Sequence, residues 1–557
     1  MHALRLFFGG VVLGVLSWSQ VGRLPSFAAE AKRPGQVAAQ IDRVIEDRLE
    51  KEAIAPSPQA EDAEFLRRAT LDIAGRIPTY DEAAAFLADD VQDKRARLID
   101  RLLADSAYGE HQAAIWHELI VPRGEAKSAK SSGRDPLQPW LAEQFNDGRG
   151  WDDIVTDLIT ASGKIRDNPS AGFILANSEG FEPQPNLLAD STARLFWGVQ
   201  LRCAECHDHP FAPWKQTEFW ATAAFFSRLR KGYLEGKNPI GFTFTEEPPD
   251  EPISQKFTVS LAAPDVAGPA IVVPETGGKL AKQVVRAGFL GSEELNWSDD
   301  GPYRERFAEW ATSSAHPYFA ASAVNRLWAQ LMGRGLVHPL DSFHADNSPS
   351  HPEVLELLAS ELAAANFDLK HVIRVICRTR AYQRTSRPME GNATDTELLS
   401  HMAVKPLRPE MLYDSLSVLL YPVPPKGGWK SPANKPQPAP RPQPLPDISR
   451  AEFVVLFGTR PDETEGSIVN AGVPQFLRLL NGRLLNAESP GLDRLLKGEL
   501  SRSDAIESLY LAALSRRPTA DELELMTDFV ADHKDDKDSY AGVLWALVNS
   551  AEFVLNH

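Results

Sequence analysis

Apolar residues recur along most of this chain at the spacing of an α-helix rather than that of a strand. Val37, Ile41, Val44, Ile45 and Leu49 fall on one stripe, and Leu369, Val372, Ile373, Ile376 and Cys377 on another. The second stripe makes Cys377 a small core hydrophobe. Helix starts are signed by a hydroxyl with a carboxylate three residues on, as in Thr79 with Glu82, Ser350 with Glu353 and Thr519 with Glu522. The segment Arg76-Ile77-Pro78-Thr79-Tyr80-Asp81-Glu82 is echoed by Arg516-Arg517-Pro518-Thr519-Ala520-Asp521-Glu522. One helix-turn-helix connection is therefore expected twice, without a solenoid, because no fixed period links further copies.

Two stretches break this texture. From Lys237 onward Pro and Gly become frequent, and Phe257-Thr258-Val259-Ser260-Leu261 and Ala270-Ile271-Val272-Val273 read as short strands. From Tyr421 to Pro446 prolines fall at nearly every second position toward the end, which makes an extended, solvated loop. The expected fold class is mainly α, with helical domains at residues 30–236 and 301–557. A small β-rich insertion or linker at 237–300 separates them.

The first 29 residues read as an address. His2 and Arg5 precede an apolar run from Leu6 to Trp18, and small residues near Ala28 and Ala29 suit a signal peptidase. The run is shorter than a spanning helix and is broken by glycines, so export to a periplasm or cell surface is expected, with no membrane span after cleavage. With 59 basic against 76 acidic residues the formal charge is −17, and removal of Arg5 and Arg23 with residues 1–29 takes it to −19. An excess of that sign repels phosphate backbones, so nucleic acid is excluded as a partner. Three cysteines in 557 residues rule out a disulfide scaffold.

Two of those cysteines carry the chemistry. Arg202-Cys203-Ala204-Glu205-Cys206-His207-Asp208-His209-Pro210 contains C-x-x-C-H, the pattern of covalent c-type haem attachment. Two thiols on one side of a helical turn can add to the two vinyl groups of one porphyrin, and the adjacent imidazole of His207 then reaches the iron from the proximal face. Such attachment happens outside the cytoplasm and needs a haem-attachment machinery, in agreement with the export signal. A redox partner would follow. Two other readings of the same residues stand beside it. Zinc or another transition metal could use Cys203, Cys206, His207 and His209, or Cys203 and Cys206 could form a redox-active or structural disulfide. Candidates for the distal iron position are Met332, Met389, Met402, Met411, Met526, His209, His338, His344 and His351. His209 is too close in the chain to reach the opposite face of the same haem, which leaves it a supporting or metal-binding role. His111, His117 and Glu118 lie on one helix but on different faces, as befits capping or surface roles.

The stretch Asp190-Ser191-Thr192-Ala193-Arg194-Leu195-Phe196-Trp197-Gly198, continued by Cys203 to Phe211, Trp214 and Ala224-Phe225-Phe226, resembles the planctomycete cytochrome-C-type domain of unknown function. Asn325-Arg326-Leu327-Trp328, Gly333-Arg334-Gly335-Leu336-Val337, Ser350-His351-Pro352-Glu353, Ser515-Arg516-Arg517-Pro518-Thr519 and the stretch Trp545 to Phe553 resemble its usual C-terminal companion domain. The resemblance implies an exported protein, in which any haem would be a single one, and makes Asp208, His209, Pro210, Phe211 and Trp214 part of the conformation of the site. Pro210 and Pro213 would end the motif helix, and Phe211 and Trp214 would wall a haem edge or fill core. The leading expectation is electron transfer or haem-dependent oxidation. The alternatives are a cell-surface binding or assembly module with a structural Cys203/Cys206 pair, and a metal-dependent enzyme acting on exported polysaccharide.

Overall fold

The computed structural model describes residues 31–121, 136–232, 243–246, 263, 268–291, 302–422, 444–446, 448–457, 489–498, 500–533 and 537–557. Of these 57% are helical and 6% strand, so the protein is mainly α with a small β-rich part. The stretch at 1–29, the strand expected over Phe257 to Leu261 and most of the Pro-rich stretch lie outside the described residues. Both apolar stripes are realised. Val37, Ile41, Ile45 and Leu49 are buried on helix Pro34–Lys51, with Val44 packed at the edge, and the second stripe, Cys377 included, is buried on helix Leu369–Cys377.

Two apolar cores organise the chain. The larger takes residues from Val37 to Met402, from both sides of the 237–300 segment, and the smaller joins Leu71 and Ile77 to residues between Leu407 and Phe553. Helix Asp62–Ala74 runs between them. Phe65, Leu66, Ala69 and Ile73 face the first core and Leu71 the second, so every residue from Phe65 to Ala74 is buried. A helix buried on all sides must pair its charges, because an uncompensated ion away from water is costly. Arg67 donates to the carbonyls of Ala513, Glu552 and Phe553 at 3.0, 3.2 and 2.8 Å, and burial draws its guanidinium down to about 10. Arg68 donates to the carbonyls of Tyr382, Arg384 and His557 and to the Glu64 carboxylate. Asp72 accepts from Lys405 Nζ at 2.7 Å, Asn556 Nδ2 at 2.8 Å and the Tyr382 hydroxyl at 2.9 Å.

The repeated connection takes the same form at both places. A residue in the left-handed region, Gly75 at φ 68° or Ser515 at φ 63°, ends the first helix. The arginine that follows donates to the carbonyl of its neighbour and to both carboxylate oxygens of the glutamate six residues on, Arg76 to Glu82 at 2.8 and 3.0 Å and Arg516 to Glu522 at 2.7 and 2.8 Å. Thr79 with Glu82 and Thr519 with Glu522 close reciprocal capping boxes. The third expected box does not form. Pro352 takes the first helical position, where its fixed φ and missing N–H cost nothing, so the cap falls on His351 and not on Ser350.

Burial works against ionisation of Glu82, but the Arg76 guanidinium overrides it and holds the carboxyl at about 2; the hydrogen bond from Arg516 does the same for Glu522. Carboxyls depressed in the folded state stabilise it above their ordinary value of 4.5 and lose that contribution as pH falls toward 2. Stability against urea should therefore decline over that window, and the Glu82→Gln/Glu522→Gln variant should show a shallower decline. An unchanged slope in the variant would contradict this assignment.

The β part is small and antiparallel throughout. Thr243–Glu246 pairs with Gly163–Lys164 on one side and Leu229–Lys231 on the other. Ala270–Val272 is a strand as its sequence suggests, and pairs with Val284–Arg286 in the register Ile271 to Val285. This hairpin packs on helix Gln216–Ala224, which places it against the cysteine motif. Among the described residues no helix is long and apolar enough to cross a membrane.

Candidate functional site

Helix Pro185–Thr192 leads into the site and widens at its end into a π-helical turn, Ala193–Trp197, of the kind often met at functional sites. Arg326 of helix Phe319–Met332 donates to the carbonyls of Arg194 and Leu195 at 2.6 and 3.1 Å, which satisfies acceptors at that turn. Trp197 Nε1 donates to the Ala311 carbonyl. The turn ends at Gly198, φ 66°, where a Cβ would stand 2.7 Å from the Phe343 ring. These contacts from residues beyond 300 fix where the next segment begins.

That segment is a 3-10 turn, Arg202–Glu205, followed by Cys206. In a 3-10 turn residues three apart eclipse one another, so Cys203 and Cys206 share a side. Ala204 points inward and is fully buried. The Glu205 carbonyl accepts from Gln216 Nε2 and Trp220 Nε1, both at 3.0 Å, and its carboxylate from Asn186 Nδ2 at 3.0 Å. Gln216 Nε2 also donates to the Gly277 carbonyl at 2.6 Å, which ties the hairpin to the motif. Gly278, φ 54°, lies so close that a Cβ would stand 2.0 Å from the Cys206 carbonyl oxygen. The backbone of the motif is thus held from within, while Cys203, Cys206 and His207 are exposed and both thiols are free.

The imidazoles are held by their Nδ1 atoms in opposite senses. His207 Nδ1 lies 2.8 Å from the Asp208 carbonyl oxygen, which can only accept, so Nδ1 carries a proton and Nε2 is the acceptor of the neutral ring. His209 Nδ1 accepts from the amides of Phe211 and Ala212 at 3.1 and 2.9 Å, which places its proton on Nε2. Burial lowers the His209 pKa, with His344 and His207 adding to the effect.

The supporting residues divide. Asp208 Oδ1 accepts from the Gln216 amide at 2.9 Å and so starts helix Gln216–Ala224. The His209 amide donates to the Trp214 carbonyl, closing the loop that holds Pro210 and Pro213; the motif turn has already ended at Glu205, so neither proline terminates it. Trp214 is buried edge-on to Tyr318, with ring centroids 6.0 Å apart. Phe211, at 75% exposure, fills no core.

Residues 40–231 match the family model of PSCyt2, a protein of unknown function (DUF1549), and residues 303–530 that of PSD1, a protein of unknown function (DUF1553). The DUF1549 match thus precedes the DUF1553 match along the chain. Their order is that of the domain and companion to which the sequence bears a resemblance, and neither description states an activity. No curated protein and no solved structure matches the chain.

Cysteine motif, π-helical turn and helix Pro185–Thr192 all fall in the DUF1549 region, while His316, Tyr318, Arg326, Asp341 and His344 reach them from the DUF1553 region. Among the distal candidates, Met332 and Met402 are buried in the larger core, Met411 is in the smaller, Met526 packs on the smaller, and Met389 is exposed. His351 is buried beside Ser350. His344 is the candidate whose charge is felt at His209, and its Nδ1 is buried without a hydrogen bond. His111, expected at a cap or on the surface, is instead buried, and burial draws its pKa down to about 3. Among the described residues no three His, Cys, Asp or Glu side chains converge as a metal-ligand set.

Proposed function

We propose that the DUF1549 region carries one covalent haem at Cys203 and Cys206, with His207 as the proximal ligand, and that the protein transfers electrons outside the cytoplasm. What supports this is the way the motif is displayed. The backbone is anchored through the Glu205 carbonyl and packed closely against Gly278 at Cys206, while both free thiols and the imidazole are exposed. The hydrogen bond at His207 Nδ1 also suits a ligand that would bind through Nε2. A metal-bound imidazole donates its other N–H to a carbonyl or carboxylate, as Nδ1 does here to Asp208.

When bound, the haem supplies a one-electron couple. The chain's own residues orient it: Asp208 holds the imidazole, Trp214 backs the loop, and Phe211 offers an apolar surface beside the motif. A metal site without haem is less well supported, because His209 Nδ1 is already taken by two amides. The partners in this reading are a haem-attachment machinery and a redox protein.

A pyridine haemochrome spectrum of the mature chain, produced in the periplasm together with a haem-attachment system, tests the reading. One haem per chain with a c-type spectrum is expected, and folded protein without covalent haem would overturn it.

A further inference from the structure

We propose that Asp190 takes up a proton when a haem at Cys203 and Cys206 is reduced, so that electron transfer by this protein is coupled to protonation. The inference rests on the haem reading above and adds the group that balances the charge. Asp190 lies on helix Pro185–Thr192, which leads into the motif, and is only 8% exposed. Among the described residues no donor makes a hydrogen bond to its carboxylate. The nearest cation is Arg202 Nη1 at 3.9 Å, on a side chain that is itself 61% exposed.

The other charged groups that act on Asp190 are Arg194 in the π-helical turn, Glu205 in the motif and Asp341 from the DUF1553 region. Both of those carboxylates have hydrogen bonds of their own, Glu205 from Asn186 at 3.0 Å and Asp341 from Gln200 at 2.9 Å. Asp190 alone of the three has none, so its ionised form is the least well solvated. Burial is the main cause that raises its carboxyl above the ordinary 3.8; the Arg194 and Arg202 guanidiniums oppose it without reversing the direction, and Glu205 and Asp341 add to it. Arg202 immediately precedes Cys203, and Asn186, one helical turn before Asp190, donates to Glu205, so the helix that carries Asp190 lies beside the motif.

The charge logic follows from that placement. An oxidised iron carries one more positive charge than a reduced one, and a nearby positive charge favours the carboxylate. Reduction removes it, and the proton then becomes the cheaper way to neutralise a buried carboxyl. The balance is one electron from a soluble one-electron donor to the iron and one proton from solvent to a carboxylate oxygen of Asp190. An O–H bond forms and nothing is released.

Potentiometric titration of the haem-loaded protein between about pH 4 and pH 8 tests this. The midpoint potential should shift by up to about 59 mV for each tenfold change in proton concentration across the Asp190 range. A pH indicator should record proton uptake on reduction. Asp190→Asn should flatten the dependence and Asp190→Glu should keep it. A wild-type potential independent of pH would overturn the proposal even if Asp190→Asn failed to fold. So would a slope that survives in Asp190→Asn, which would assign it to His209 or to the haem propionates. A haemochrome assay on the same samples separates the two failures: haem with a flat potential sinks this inference alone, and absence of covalent haem sinks the parent reading with it.

Discussion

Replacing Asp72 with alanine lowers the stability of the fold by about 3–5 kcal/mol, the usual cost of removing one partner from a buried ion pair. Asp72 is 4% exposed and accepts from Lys405, Asn556 and the Tyr382 hydroxyl. Those donors come from three separate parts of the chain, all brought to the helix that runs between the two cores. Without the carboxylate, Lys405 Nζ keeps only the carbonyls of Gln330 and Leu331 at 3.0 and 2.6 Å, and the Tyr382 hydroxyl loses its acceptor. Guanidinium denaturation reads the loss. Asp100 is the control: it pairs with Arg374 and Arg378, but its side chain is half exposed, so Asp100→Ala should cost no more than about 1 kcal/mol. Equal losses at the two positions would contradict this picture of the junction.

The Cys203→Ser/Cys206→Ser variant should lose all covalent haem while its apo form unfolds at the wild-type temperature. Both thiols are exposed and unpaired, and the contacts that hold the turn run through buried Ala204 and the Glu205 carbonyl. Surface substitutions away from such contacts change stability by about 0.5 kcal/mol or less. The comparison belongs between apo forms, because bound haem would itself stabilise the folded state. A substantial fall in the apo midpoint would instead favour a structural cysteine pair, and a variant that kept covalent haem would remove these residues from the attachment.

Features decided within a few residues are legible in the amino-acid sequence itself. The Arg-to-Glu pair and the capping box of the Arg-x-Pro-Thr-x-x-Glu connection close within seven residues, so its two copies read as one turn used twice, although the bonds from Ile77 to Ser415 and from Arg516 to Glu552 come only with folding. The apolar stripes and the C-x-x-C-H spacing are likewise local. Ser350 with Glu353 shows the limit, since Pro352 at the first helical position moves the cap by one residue. What depends on distant partners is hidden. Arg67, Arg68 and Asp72 look like the wet side of an amphipathic helix until the second core covers them. Gln216, Trp220 and Gly278 carry no motif of their own, and only folding brings them to the Glu205 and Cys206 carbonyls. Asp190 is visible in the sequence as part of a resemblance, but its lack of a hydrogen-bonded partner is a property of the assembled site.

Covalent haem is tested most directly by the intact mass of the purified protein after denaturation in acid and organic solvent, which strips any haem that is not covalently held. The mass of the chain plus one haem is expected, with the added mass on the peptide that contains Cys203 and Cys206. The mass of the bare chain, from protein that was folded and produced alongside a working haem-attachment system, would contradict it.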